Sequence, residues 1–226
     1  MRDQSLDLII FDCDGVLVDS EIIAAQVEAA LLSESGYPIS VGEMKERFCG
    51  MSWSDILRSV ERDSGLELMT SLFDKSEAIL DERLELDVQA IDGVAFALSQ
   101  LPYTRCICSN TKPTRLDAML LKVGLRSLFA PHIFSAITLG AKSAKPKPDI
   151  FLHGAKQMRA DPKKTIVVED SIYGVQGARA AGMRVIGFIG GSHTYPGHAT
   201  RLIESGAEVT ISAMQDLPPA IAALVV

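Results

Sequence analysis

The chain has 226 residues, 47% of them hydrophobic and 23% charged, enough to bury one large core or a core plus a smaller insertion. Its 22 basic and 29 acidic residues give a net charge of −7 with no Lys/Arg-rich run, which argues against a nucleic-acid partner. The apolar stretch before Asp12 is too short for a signal sequence and no segment reaches the length of a membrane span, so a cytoplasmic protein without a membrane partner is expected.

Cys13, Cys49, Cys106 and Cys108 show neither CxxC spacing nor a paired framework, and read as reduced thiols rather than disulfides or zinc ligands. Residues 6–11 form a short apolar run bounded by acids, as in a strand buried on both faces of a parallel sheet. Similar runs at 104–108, 133–137, 165–168, 184–189 and, more weakly, 208–211 bring the expected strands to five or six. Helical stretches fall between them at 113–123, 148–158 and 172–181, the first and last stopped by Gly124 and Gly182. This alternation predicts an α/β fold with a Rossmann-like open parallel sheet.

The interval after the first strand breaks the alternation. It reads as helices over 21–33, 41–48, 54–64 and 68–86, interrupted at Gly36-Tyr37-Pro38, Cys49-Gly50-Met51 and Gly65. An all-helical cap over 18–89 is therefore expected, with the core made of 1–17 and 90–226. An insertion at the carboxyl end of a strand sits above the crevice where such sheets bind ligands, and can serve as a lid.

Asp12 and Asp14 follow the first strand directly, two residues apart, so their side chains leave on one side, and Gly15 permits a sharp turn. Phosphoryl transfer to water requires a nucleophile and a group that protonates the leaving oxygen and then deprotonates water. Asp12 is assigned the first role and Asp14 the second; turn capping is the plainer reading of such a pair. The strand at 165–168 also ends in acids, Glu169 and Asp170. Parallel strands would bring these carboxylates to Asp12, where mutual repulsion calls for a hard divalent cation, Mg²⁺. The expected ligands are Asp12, the Asp14 carbonyl and Asp170, with Glu169 reaching the ion through water. Capping of the next helix by Asp170 or Ser171 is compatible with this.

Ser109-Asn110-Thr111 follows the second strand just before Pro113, a place where hydroxyl, amide and helix-start N–H groups cradle a phosphate or simply cap the helix. Lys145 lies in Lys145-Pro146-Lys147-Pro148, where the prolines predict an extended backbone; one lysine pointing inward would offset the acids, while Lys147 reads as a surface residue. Arg47 and Gly50 of the loop between cap helices are candidate substrate contacts, and Trp53 is either a contact or a packed aromatic. His193 and His198 flank a Gly/Pro-containing loop, read as polar surface or, alternatively, as a metal or substrate contact at the rim.

Taken in order, Asp12-Cys13-Asp14-Gly15, Ser109-Asn110, Lys145-Pro146-Lys147-Pro148-Asp149 and Glu169-Asp170-Ser171 resemble the haloacid-dehalogenase-like hydrolases, in the subfamily of phosphoglucomutase-like and sugar-phosphate phosphatases with a helical cap. The match spans nearly the whole chain. It implies Mg²⁺, the roles assigned above, and a small-molecule phosphate ester as substrate for a monomer or weak homodimer. Dehalogenases lack a second aspartate at the position of Asp14, so phosphate chemistry is implied. The sugar mutases, the alternative, carry an arginine where this chain has Trp53 and a histidine where it has Ala24. The closer likeness is to phosphogluconate-type phosphatases, through Asp19-Ser20-Glu21, Arg47-Phe48-x-Gly50 and Cys106-x-Cys108-Ser109-Asn110. A phosphorylatable receiver-like switch would lack the long helical insertion.

Overall fold

The computed structural model describes residues 6–48, 50–140 and 142–225; Cys49, within an expected helix break, lies outside them. Six strands form one parallel sheet: β1 Leu8–Phe11, β2 Arg105–Ser109, β3 Ile133–Ser135, β4 Thr165–Glu169, β5 Arg184–Phe188 and β6 Val209–Ile211, in the order β3-β2-β1-β4-β5-β6. Alternation of side chains explains why the central strands are apolar at nearly every position. Leu8, Ile10, Cys106, Cys108 and Val167 pack on one face, while Ile9, Phe11, Ile107, Ile166 and Val168 pack on the other.

The chain leaves β1 in one direction to build β2 and β3, and returns beside β1 to build β4, β5 and β6. The order therefore switches between β1 and β4, the place in an open sheet where a crevice forms outside the carboxyl ends. Paired register along Phe11 and Val168 puts Asp12 beside Glu169 at that point.

Helices cover both faces. Helix α6 (Pro113–Lys122) starts on proline at its first position, α7 spans Asp149–Met158, and α8 (Ile172–Ala180) is capped by Ser171, whose hydroxyl accepts from the Gly174 N–H. Three further helices, α5 (Val94–Ser99), α9 (His198–Glu204) and α10 (Leu217–Val225), complete the layers without having been legible beforehand. The first two run for too few turns to display a period, and α10 opens on Leu217-Pro218-Pro219 and is apolar nearly throughout.

The inserted region consists of α1 (Glu21–Glu34), α2 (Val41–Phe48), α3 (Trp53–Ser64) and α4 (Met69–Asp87), close to the expected helices. It has its own apolar cluster, including Leu32, Trp53, Leu57, Val60 and Leu72. Its two connections run side by side: Asp19 N–H donates to the Gln89 carbonyl at 2.9 Å and Ile91 N–H to the Leu17 carbonyl at 3.0 Å. Across the gap, Lys112, just before α6, and Arg115 of α6 meet Glu77 and Asp81 of α4 at 2.5–3.2 Å. On the opposite side Lys45 Nζ donates to the Ser192 carbonyl at 3.1 Å. The cap is thus tied to the core at both flanks.

Phe129 packs edge-on against Phe11, the residue before Asp12, with ring centroids 5.7 Å apart. Replacing it opens a cavity under the end of β1. Phe129→Ala is expected to lower unfolding stability by about 3–5 kcal/mol in urea denaturation; a loss under ~1 kcal/mol would show that β1 does not depend on this contact.

Candidate active site

Each expected motif sits at the carboxyl edge of a strand or in the loop beside it. Asp12 follows β1, its N–H donating to the Val168 carbonyl at 3.0 Å, so the backbone is fixed to β4 at the residue carrying the carboxylate. Asp14 lies one turn further on. Gly15 takes a left-handed φ of 71°, and a Cβ there would lie 1.9 Å from Asp170 Oδ2. Only glycine lets this turn approach the second acidic pair so closely.

Lys145 is the hub of the cluster. Its Nζ donates to Asp12 Oδ1 at 2.6 Å and to Glu169 Oε1 at 2.5 Å, and its side chain is 4% exposed. Burial alone would lower the ammonium's pKa, but the two carboxylates hold it above the usual lysine range. Burial pushes the Asp12 carboxyl well up; Lys145 pulls it down in part, and Glu169, Asp170 and Asp14 push it up again. Glu169 is raised too, by burial first, with Lys145 opposing. The segment bearing Lys145 does not run extended as its prolines suggested: the Lys145–Pro146 peptide is cis and a turn closes from Lys147 N–H to the Ala144 carbonyl at 3.1 Å. Lys147 is exposed.

Three hydroxyls hold Asp14. Ser20 donates to Oδ1 at 2.8 Å, and Thr111 and Ser109 donate to Oδ2 at 2.8 and 3.1 Å. Ser109 Oγ also accepts from the Thr111 N–H, and the Asn110 side-chain oxygen accepts from the Lys145 N–H at 3.0 Å. The β2 motif therefore braces both Asp14 and Lys145. Ser20 and Thr111 gave no separate signal in the sequence, because hydroxyls at helix starts are common caps.

Asp12, Glu169 and Asp170 each bring a carboxylate oxygen within 4.8 Å of the others, a donor set suited to a hard cation. Glu169, expected to act through water, has Oε1 on Lys145 while Oε2 accepts from the Ser171 N–H and hydroxyl, each at 3.0 Å. Asp12 and Asp170 are thus the carboxylates with oxygens to spare. A Cβ on Gly174 would fall 1.9 Å from Glu169 Oε1, so the first turn of α8 has to be bare for Glu169 to sit there.

The two histidines are not polar surface: both are buried, His193 bordering the cavity beside Asp170 and His198 lying behind it. His193 is 2% and His198 1% exposed, packed edge-on against one another. His198 Nε2 lies 2.7 Å from the Asp170 carbonyl, and His193 Nε2 lies 2.9 Å from Asp170 Oδ2 as an ion-pair contact. Burial works to lower the His193 pKa, yet Asp170 keeps it raised. Both rings buttress Asp170, and the long sequence gap between them and Asp170 explains why this was not read.

A cavity of about 770 Å³ lies between this edge and the cap, lined by Asp12, Asp14, Asn110 and Lys145 below and by Gly50 and Trp53 above. Its size suits a small metabolite. Gly50 reaches it beside Ser171. Arg47 does not: Tyr37 offers its hydroxyl at 2.9 Å, Asp63 a counter-charge at 3.7 Å, and the Phe48 ring a face at 4.9 Å, which together hold the guanidinium elsewhere. Trp53 is both packed in the cap cluster and part of the cavity wall.

The model of the haloacid dehalogenase-like hydrolase family matches residues 6–182. The chain belongs to that family. It is 29% identical over 197 residues to the 6-phosphogluconate phosphatase of Escherichia coli strain K12, covering 84% of this chain and 86% of the relative. A haloacid dehalogenase-like protein of unknown function from Agrobacterium tumefaciens superposes with a TM-score of 0.94 at 66% identity, covering 97% of this chain and 99% of that one. A hydrolase of the family from Deinococcus radiodurans, with bound phosphate and sodium, superposes with a TM-score of 0.81 at 30% identity over 97% and 96% of the two chains. The family and the named phosphatase among its relatives support phosphatase activity for this enzyme. Among the described residues no helix is long and apolar enough to cross a membrane.

Inside the cavity Glu28 of α1 is pushed up to about 8, by burial first and then by Glu21 and Glu77. A carboxyl that binds its proton more tightly folded than unfolded contributes stability fully below about 4.5 and loses it as pH rises through about 8. Glu28→Gln is expected to flatten this slope, and to stabilise the protein at pH 9 by on the order of 1 kcal/mol in thermal denaturation. A slope unchanged by the substitution would contradict the burial of this charge.

Proposed function

We propose that this enzyme hydrolyses the phosphate monoester of a small metabolite, a sugar phosphate or phosphogluconate-like compound, through a phosphoryl group carried on Asp12. The observation that carries the reading is the Asp12–Lys145 contact. One carboxylate oxygen is held by the ammonium, and the other has no hydrogen bond among the described residues and borders the cavity.

Held in this way, Asp12 attacks phosphorus and the bond from phosphorus to the leaving oxygen breaks, with Asp14 supplying the proton that oxygen needs. Asp14 then takes a proton from water, which attacks the same phosphorus and returns Asp12 as a carboxylate. Lys145 balances charge on Asp12 throughout, and Glu169 keeps Lys145 in place. Ser109 fixes Asp14 through its hydroxyl, and Asn110 lines the cavity while its side-chain oxygen braces Lys145. Asp12, Asp170 and the Asp14 carbonyl are the groups that would hold Mg²⁺, which when bound neutralises phosphate charge and favours in-line geometry. The acid excess at Asp12 supports such an ion. Phosphate and sodium in the Deinococcus relative fit the same chemistry.

Hydrolysis is favoured over a mutase reaction by the cavity lining. Trp53 and Ala24 face it at the positions where the sugar mutases carry arginine and histidine, so a cation for a distal phosphate is not supplied there. The net charge of −7 and the unbridged Cys13, Cys106 and Cys108 fit a cytoplasmic enzyme that does not act on nucleic acid.

Phosphate release from a panel of sugar phosphates is expected to require Mg²⁺ and to stop with EDTA. Asp12→Asn should fall to background, and Lys145→Ala should lose about 10²–10³-fold in kcat. Full turnover by Asp12→Asn, or phosphate moved between sugar hydroxyls without net release, would overturn the reading.

A further inference from the structure

Of the three acids that approach one another at the sheet edge, Lys145 holds Asp12 and Glu169 but not Asp170. The partner of Asp170 comes from the segment after β5. His193 Nε2 lies 2.9 Å from Asp170 Oδ2. The ring is 2% exposed, and among the described residues this is its only ion-pair contact, while neither ring nitrogen makes a hydrogen bond. Burying an imidazole with so little to satisfy it is costly, which singles out the one polar contact it keeps.

The ring is nevertheless confined. A Cβ on Gly191 would fall 2.6 Å from its Nδ1 and one on Gly15 2.7 Å from its Cε1, so two bare stretches of backbone close on it. The segment that carries it is tied down as well. Ser192 N–H donates to Asp19 Oδ1 at 3.0 Å, Thr194 N–H to the Gly191 carbonyl at 3.1 Å, and the Thr194 hydroxyl to the Ile189 carbonyl at 2.8 Å. His198 fixes the backbone of the same aspartate. A carbonyl only accepts, so His198 Nε2, 2.7 Å from the Asp170 oxygen, carries a proton, and Tyr195 stacks on that ring at 4.7 Å.

Resting on the cation site proposed above, we infer that His193 is a positioning residue for Asp170: it pins Oδ2 beside the Gly15 turn and leaves Oδ1 as the oxygen offered to the divalent ion. Oδ1 has no hydrogen bond among the described residues, so nothing else competes for it. Two effects oppose each other here. An N–H pole beside one oxygen draws charge from the carboxylate and weakens its hold on a cation, whereas a carboxylate already fixed in orientation loses less freedom when the ion binds. Loss of an outer partner of a ligating group generally weakens metal binding by about 10–100-fold, which makes orientation the larger effect.

Mn²⁺, which takes the same oxygen donors and is read directly by electron paramagnetic resonance, tests this on the substrate-free enzyme. His193→Met and His193→Gln have side chains of equal length, and only the second keeps an N–H. His193→Met is expected to raise the Kd for Mn²⁺ about 10–100-fold, and His193→Gln to recover most of that loss. The number of sites in each titration counts folded protein, so partial unfolding of a variant lowers the number of sites and not the affinity. An unchanged or tighter Kd in His193→Met, or a loss in His193→Gln as large as in His193→Met, overturns the positioning role. Asp170→Asn separates the two readings. If it weakens Mn²⁺ binding while His193→Met does not, the cation site stands and the positioning role is refuted; if Mn²⁺ binds the wild type and Asp170→Asn alike, or binds neither, both are refuted.

Discussion

Several carboxylates crowd one edge of a parallel sheet, and a single buried ammonium, Lys145, stands between two of them. Without it, Asp12 and Glu169 would face each other as like charges in a site almost shut off from water. The price of that arrangement is visible around it: Asn110 is spent on bracing the Lys145 backbone, and Ser171 on the far oxygen of Glu169. Removing one partner of such a buried pair is far more disruptive than the pair is stabilising, because the charge left behind has no water to turn to. The same balance leaves a place that a cation could fill: one lysine cannot offset three acids together with an incoming phosphate.

Topology brings these groups together. In the order β3-β2-β1-β4-β5-β6, β1 and β4 are neighbours although more than a hundred and fifty residues separate them. Their ends supply Asp12 and the Glu169-Asp170 pair, and β2 on the other side of β1 supplies Ser109, Asn110 and Thr111. The helical insertion closes the space above. Its position follows from where it is inserted, since a chain leaving the carboxyl end of β1 must pass over the crevice before it can return at Ala90. The ion pairs from α4 to α6 are partly exposed and weak singly, but four charges in one network hold this cap in register with the site.

The sheet was legible because central strands must be apolar on both faces, and runs such as those ending at Phe11 and Val168 cannot be mistaken for half-buried strands. The charged cluster was legible where an acid follows an apolar strand, as for Asp12 and Asp170, or a lysine sits between prolines in a loop, as for Lys145; the fold brings these three to one edge. It was illegible where a common residue does an uncommon job. Ser20 and Thr111 look like caps and are the hydroxyls that hold Asp14. Arg47 sits in a suggestive loop, yet Tyr37, Phe48 and Asp63 satisfy it away from the cavity. His193 lies in a Gly-rich loop and His198 opens α9, and both are buried against Asp170, a contact set by the packing of the segment after β5 on the start of α8 rather than by any local pattern. Glu28 reads as one more polar residue on a helix until the cap folds over the site.

Asp12 as the point of covalent attachment is the claim on which the rest turns. Its most direct test is rapid acid quenching of the enzyme during turnover of a sugar phosphate with Mg²⁺, followed by peptide mass spectrometry. The account predicts one phosphoryl group on the peptide containing Asp12, localised to that aspartate and absent after substrate is exhausted. A phosphoryl group on another residue, or none during steady turnover with fast quenching, would contradict it.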